Sequence, residues 1–142
     1  MSSNDWFMLV IKMRLEFVLL LVLAALSIAY AGVCDRAPDV DGCSVPGNLP
    51  YPYKNTFRPD CNKHDICYSC GNHYGIRRST CDIRFYRNIK STCNTSPKVS
   101  NRNVCKVAAA DYYSKVLRFG WIFFVKKSPS WCSQAYVKRC IR

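Results

Sequence analysis

The run Cys61-Asn62-Lys63-His64-Asp65-Ile66-Cys67-Tyr68 sets an imidazole beside a carboxylate, between two cysteines. On a helix, adjacent side chains diverge by about 100°, so these two serve separate tasks. His64 can act as a general base, because an imidazole titrates near neutral pH. Asp65 can offer oxygen to a hard cation. Tyr68 lies four residues beyond His64 on the same face, and its hydroxyl can bond a carboxylate brought by another helix. Asp82, next to Cys81, is such a carboxylate. Set against the far nitrogen of His64, it would fix the tautomer and stabilise the charged ring. Taken alone, Asp82 reads equally as a negative charge near a helix N-terminus. His73 has no such company: it sits in a glycine-rich turn and reads as an ordinary packed or solvated histidine.

These residues need elements to hold them. Cys61, His64, Cys67 and Tyr68 recur at i, i+3, i+6 and i+7, which predicts a helix over residues 57–68. Pro59 fits its first turn and Gly71 ends it. Ser79 is placed to cap a second helix running to about Cys93, with Cys81, Phe85, Ile89 and Cys93 as its buried stripe. A third helix covers residues 104–119 and stops at Gly120. Before the first of these, residues 32–56 carry prolines and glycines at short intervals and read as loop. Within that loop, Asp41-Gly42-Cys43-Ser44-Val45-Pro46-Gly47 can turn carbonyls toward calcium, a cation that takes oxygen ligands. Asn94-Thr95-Ser96 is an N-glycosylation acceptor pattern in a polar loop over residues 94–103. Residues 121–125 form a short apolar run, in which Trp121 to Phe124 read either as core or as a surface for lipid. No internal repeat or low-complexity tract is present.

The N-terminus reads as a leader. Residues 17–28 are apolar and uncharged, Arg14 precedes them, and Ala29-Tyr30-Ala31 follows. That order predicts a secretory signal peptide over residues 1–31, with Met13 as an alternative start and residues 1–12 as an extension. An uncleaved anchor is the other reading, although the apolar run is short of the roughly 20 residues a span requires. The single domain is then residues 32–142, extracellular. All ten cysteines fall within it, which implies a disulfide framework rather than a zinc site, since only Cys67 and Cys70 have Cys-x-x-Cys spacing. Residues 32–142 hold 19 Lys+Arg and 7 Asp+Glu, a net charge of +12 with no glutamate. Such a field favours anionic partners. For a secreted chain these are membrane lipid or glycan rather than nucleic acid. Some of the charge serves solubility alone.

Together, Cys61-x-x-His64-Asp65-x-Cys67-Tyr68 and Cys81-Asp82-x-x-Phe85 resemble the two active-site segments of secreted phospholipases A2. The residues Asp41-Gly42-Cys43-Ser44-Val45-Pro46, Tyr53-Lys54 and Cys70-Gly71 bring the likeness closest to the conodipine-type venom enzymes and their bacterial and fungal relatives. The likeness covers about half of residues 32–142, and its His-Asp helix is the specific part. It implies an all-α, disulfide-stabilised fold with two antiparallel core helices and a calcium-binding loop. It also implies calcium-dependent hydrolysis of the sn-2 ester of glycerophospholipids at a phospholipid membrane surface. His64 corresponds to the general base and Asp82 to its carboxylate partner, with Tyr68 in support. Asp65 corresponds to the calcium carboxylate. The carbonyls of Gly42, Ser44 and Pro46 match the loop ligands by position, in a register that can slip by one, because the usual glycine-rich Tyr-Gly-Cys-x-Cys-Gly run is absent. The likeness further suggests the bridges Cys43–Cys61 and Cys67–Cys81, leaving six cysteines and 15 pairings among them. Conodipine-type precursors can be cut in two, and Arg102 and the Lys126-Lys127 pair are candidate sites. Two rivals use the same scaffold or charge without hydrolysis: a non-enzymatic toxin module and a cationic membrane-perturbing protein.

Overall fold

The computed structural model describes residues 3–44 and 50–142, with the side chains of 3–5 and 26–31 set aside. It divides into two compact units, Met1–Val33 and Cys34–Arg142. The first holds one helix, α1 (Ser3–Ala31), which runs through Met13 without a break. No helix among the described residues is long and apolar enough to cross a membrane.

The second unit is built on three helices: α2 (Lys54–Cys70), α3 (Arg78–Thr95) and α4 (Arg102–Phe119). A four-residue helix, α5 (Val137–Cys140), closes the chain. Short 3₁₀ turns fill the connections, and no β-strand occurs among the described residues. The fold is therefore all-α.

α2 and α3 are antiparallel, as three contacts along their length show. Cys67 is bridged to Cys81 near the turn, the rings of His64 and Phe85 lie 4.7 Å apart at mid-length, and Thr92 Oγ1 donates to Asp60 Oδ2 at 2.6 Å beyond. The stripe Phe85, Ile89 and Cys93 packs on Phe57 and Cys61, and Ala109 and Tyr112 of α4 complete the core. Phe57 meets Tyr112 edge-on at 5.4 Å, a geometry in which the positive ring edge faces the negative ring face.

The helix ends differ from the sequence expectation. α2 starts three residues before Phe57 and ends at Cys70, with Pro59 inside it. α3 starts at Arg78, so Ser79 lies within its first turn and makes no cap, and the N-cap is Arg77. A helical Arg78 is four residues from Asp82 and pairs with it, an interaction the later start would forfeit. α3 also extends through Asn94 and Thr95, so the acceptor asparagine is exposed on a last helical turn rather than in a loop. α4 is capped by Asn101, whose Oδ1 accepts from the backbone N–H of Asn103 and Val104, each at 3.1 Å.

All ten cysteines are bridged. Cys43–Cys61 and Cys67–Cys81 are two of the pairs, and the other six cysteines join as Cys34–Cys140, Cys70–Cys132 and Cys93–Cys105. Cys34 and Cys140 are 106 residues apart. Closing so long a loop restricts the unfolded chain by roughly 4–5 kcal/mol.

Candidate active site

The site is assembled where the midpoint of α2 faces the first turns of α3. His64 and Tyr68 lie one turn apart on the buried face of α2, and Asp82 projects from the second turn of α3. Asp82 is fully buried. Its Oδ1 is 3.1 Å from His64 Nε2 and accepts the Tyr68 hydroxyl at 2.5 Å. A carboxylate only accepts, so Nε2 carries the proton and Nδ1 keeps its lone pair. The imidazole is held between rings, 4.0 Å from Tyr68 and 4.7 Å from Phe85. Burial pulls the His64 pKa down, while Asp82 acts against that. A neutral ring with a free Nδ1 is what a general base requires. Beside it lies a recess of about 10 Å³, lined by Lys63, Arg84, Phe85, Asn88 and Ile141. That is room for about one water molecule.

Tyr68 is itself held. Its hydroxyl is pushed well above the ordinary phenol pKa, first by burial and then by Asp82, so it stays a donor. Phe124 packs edge-on against its ring at 5.6 Å, and its carbonyl accepts from Val125 N at 3.2 Å. Arg78 belongs to the site although no motif in the sequence singles it out. Its Nη1 donates to Asp82 Oδ2 at 3.0 Å and to the Val116 carbonyl at 3.2 Å. The signal was present as a cation four residues before the carboxylate on one helix.

Asp65 points away from this cluster. Its Oδ2 is buried and has no hydrogen-bond partner among the described residues. Burial first, then the nearby negative charge of Asp41, pushes its pKa up to about 8, against a backbone contact from Asp41 that lowers it. Two carboxylates in proximity, one with an orphaned oxygen, form a set that a cation would satisfy. Asp41 also accepts the Ser44 hydroxyl at 2.5 Å. Gly42 has φ 81°, a left-handed conformation that favours glycine. Its carbonyl accepts from Ser44 N at 3.0 Å, which leaves one lone pair for other use. Pro46, the third loop ligand expected by position, lies outside the described residues. No three His, Cys, Asp or Glu side chains converge among the described residues, so a cation here draws on backbone oxygen as well. The residues present fit calcium, which Asp65 and the backbone around Gly42 would hold.

Two further expectations fall elsewhere. His73 is exposed in a 3₁₀ turn, with its backbone N–H on Ser128 Oγ. Trp121, Ile122 and Phe123 are 68%, 57% and 69% exposed, which excludes the core reading for them, while Phe124 is half-buried against Tyr68. Arg118, Lys126 and Lys127, also exposed, flank them.

Comparison with known proteins agrees on one group. The sequence profile described as prokaryotic phospholipase A2 matches residues 35–120. Conodipine-P3 of Conus purpurascens is 35% identical over 85 residues, covering 57% of this chain and 47% of that protein. Conodipine-P2 of the same species matches to the same extent. The conodipine-M alpha chain of Conus magus is 38% identical over 53 residues, covering 37% of this chain and 68% of that one. The chain thus spans about half the length of the conodipine-P proteins it matches. No solved structure matches it.

Proposed function

The chain belongs to the prokaryotic phospholipase A2 family, and from that premise we propose that it is a secreted, calcium-dependent phospholipase A2. It cleaves the sn-2 ester of a glycerophospholipid to a fatty acid and a lysophospholipid. One observation carries this reading: His64 is bonded through Nε2 to a buried carboxylate, and its Nδ1 has no hydrogen-bond partner among the described residues.

The steps follow from these residues. His64 Nδ1 takes a proton from water as that water attacks the ester carbonyl. The imidazolium so formed lies against Asp82, and this opposite charge stabilises it. Tyr68 and Arg78 keep Asp82 in place during that charge change. His64 then returns the proton to the departing glycerol oxygen. Calcium held by Asp65 and the loop around Gly42 would supply positive charge near the developing oxyanion.

The membrane surface enters by the same reading. Trp121, Ile122 and Phe123 are exposed apolar groups beside Arg118, Lys126 and Lys127. The 31 residues 112–142 hold seven Lys+Arg and no Asp or Glu. Aromatic side chains settle at the bilayer interface, and cations are drawn to anionic lipid. The proposed docking partner is therefore an anionic phospholipid surface.

The same exposed groups favour a second reading, a cationic protein that perturbs membranes without hydrolysis. Vesicles of anionic phospholipid separate the two. Fatty-acid release should need calcium in the millimolar range and fall by at least about a hundredfold in His64→Gln, the scale of general-base catalysis. No release by the wild-type chain would sink the hydrolase reading. Leakage that persists in chelator and in His64→Gln would establish the second.

A further inference from the structure

A buried carboxylate stays charged and in place only when donors surround it. His64 and Tyr68 both engage Oδ1 of Asp82. Oδ2 meets Arg78 Nη1 at 3.0 Å. Arg78 is anchored in turn. The same Nη1 donates to the carbonyl of Val116, in the last turn of α4, at 3.2 Å. That helix end is electronegative and favours a cation. The side chain is 29% exposed while its partner is fully buried, so Arg78 reaches inward from the rim of the site.

The arrangement constrains rotation. With donors on Oδ1 alone, the carboxylate can turn part-way about its Cβ–Cγ bond and swing its oxygens off the line to His64 Nε2. A second donor on Oδ2, fixed to a different helix, holds one orientation. An acceptor held on Nε2 keeps the proton on that nitrogen. We infer that Arg78 is a positioning residue of the hydrolytic site: it clamps Asp82 to the end of α4, and through Asp82 it holds the His64 ring in its Nε2–H form. The hydrogen bonds of Arg78 go to Asp82 and to the Val116 carbonyl, so it acts on His64 through Asp82. The inference rests on the hydrolytic reading for its kinetic consequence, but not for its structural one.

The test uses the full chain and two substitutions. Arg78→Met keeps the length and removes the donor and the charge. Arg78→Lys returns a charge that can reach Oδ2 as a single point donor. Three quantities are measured: kcat and KM on a short-chain phosphatidylcholine below its micelle concentration, the melting temperature, and the ¹⁵N signals of the His64 ring in chelator at pH 8. In Arg78→Met, kcat should fall about ten- to a hundredfold, as for outer partners that orient a catalytic imidazole, while KM stays within about twofold. Its ring signals should show a mixture of tautomers where the wild type shows Nε2–H alone. Arg78→Lys should recover most of the loss in both.

If Arg78→Met melts earlier but keeps wild-type kcat per folded molecule and a single tautomer, Arg78 is only a tie between α3 and α4, and the inference is wrong. Should Arg78→Met not fold, Arg78→Gln takes its place and must show the tautomer mixture. A wild-type chain without hydrolysis would remove the hydrolase reading, and the ring signals would still decide whether Arg78 orients His64.

Discussion

Asp65 and Asp82 show how two aspartates on adjacent helices are sent to different work by their surroundings. Asp82 has three donors in a fully buried position. Asp65 has a buried oxygen with none among the described residues, and the charge of Asp41 nearby. Its pKa of about 8 makes a pH prediction. An unfolded aspartate titrates near 3.9. Between about 4 and 8 the folded chain holds a proton that the unfolded chain has lost, so in chelator stability should decline as pH rises through that window. A cation at Asp65 must displace the same proton. Calcium affinity should therefore rise about tenfold per pH unit up to about 8 and level off above it. Calorimetric titration near pH 6.5 in two buffers of different ionisation heat should count close to one proton released per calcium. A count of zero would place the metal elsewhere, or show that Asp65 is already ionised. Asp65→Asn should remove the part of the pH slope that Asp65 contributes and, in chelator above pH 8, melt higher than wild type.

At the scale of elements, the turn after α4 seats the tyrosine that supports Asp82. Gly120 has φ −61°, so its backbone suits any residue, and replacing glycine there by alanine would ordinarily favour helix. Space forbids it: an added Cβ would lie 2.0 Å from Tyr68 Oη and 3.3 Å from Arg78 Nη1. Tyr68 cannot yield freely, because Asp82 holds its hydroxyl and Phe124 packs on its ring. Gly120→Ala should thus lower both the melting temperature and kcat. Tyr68→Phe in the same chain should restore part of the stability, since it deletes the clashing oxygen. Additive effects of the two changes would mean that they do not share the contact. None of this close packing was legible in the sequence, although the meeting of His64, Tyr68 and Asp82 was. His64, Tyr68 and the cysteines beside them repeat at helical spacing, and Cys81-Asp82 opens a second stripe, so the periodicity exposes the pairing of two helices. Arg78 and Gly120 escape that logic because each matters through a partner distant in the chain, Arg78 through the Val116 carbonyl 38 residues on and Gly120 through Tyr68. The start of α3 escaped it for a related reason: Ser79 is a good local cap, but the Arg78–Asp82 pair belongs to the helix and draws the boundary earlier. Residues 121–125 were ambiguous because apolar character alone does not say whether a segment faces a core or a membrane.

For the whole molecule, the question is what residues 121–123 and the surrounding charge do together. Neither term suffices alone. Isolated surface aromatics are common, and a net charge of +12 can serve solubility. Their juxtaposition is more specific. Three large apolar side chains, each more than half exposed, stand between Arg118 and the Lys126-Lys127 pair, in a segment without a single acid. The inner side of this segment is fastened to the site: Val125 N–H donates to the Tyr68 carbonyl, and Asn72 Nδ2 donates to the carbonyls of Val125 and Lys126, each at 2.8 Å. Lipid contact at the outer side would therefore fall on a segment tied to Tyr68, one turn from His64 on α2. Near an anionic membrane each lysine or arginine contributes about 1 kcal/mol, so the three flanking cations account for roughly a hundredfold in partitioning. Binding to anionic vesicles should weaken steeply between low and physiological salt, as screening shortens to about 8 Å, and should be much poorer on zwitterionic vesicles. Trp121→Ala with Phe123→Ala should cut vesicle binding and vesicle hydrolysis together, and leave kcat on a monomeric short-chain substrate unchanged. A loss of equal size on the monomeric substrate would show that these aromatics support the site rather than dock it, and salt-independent binding would remove the anionic surface from the proposal.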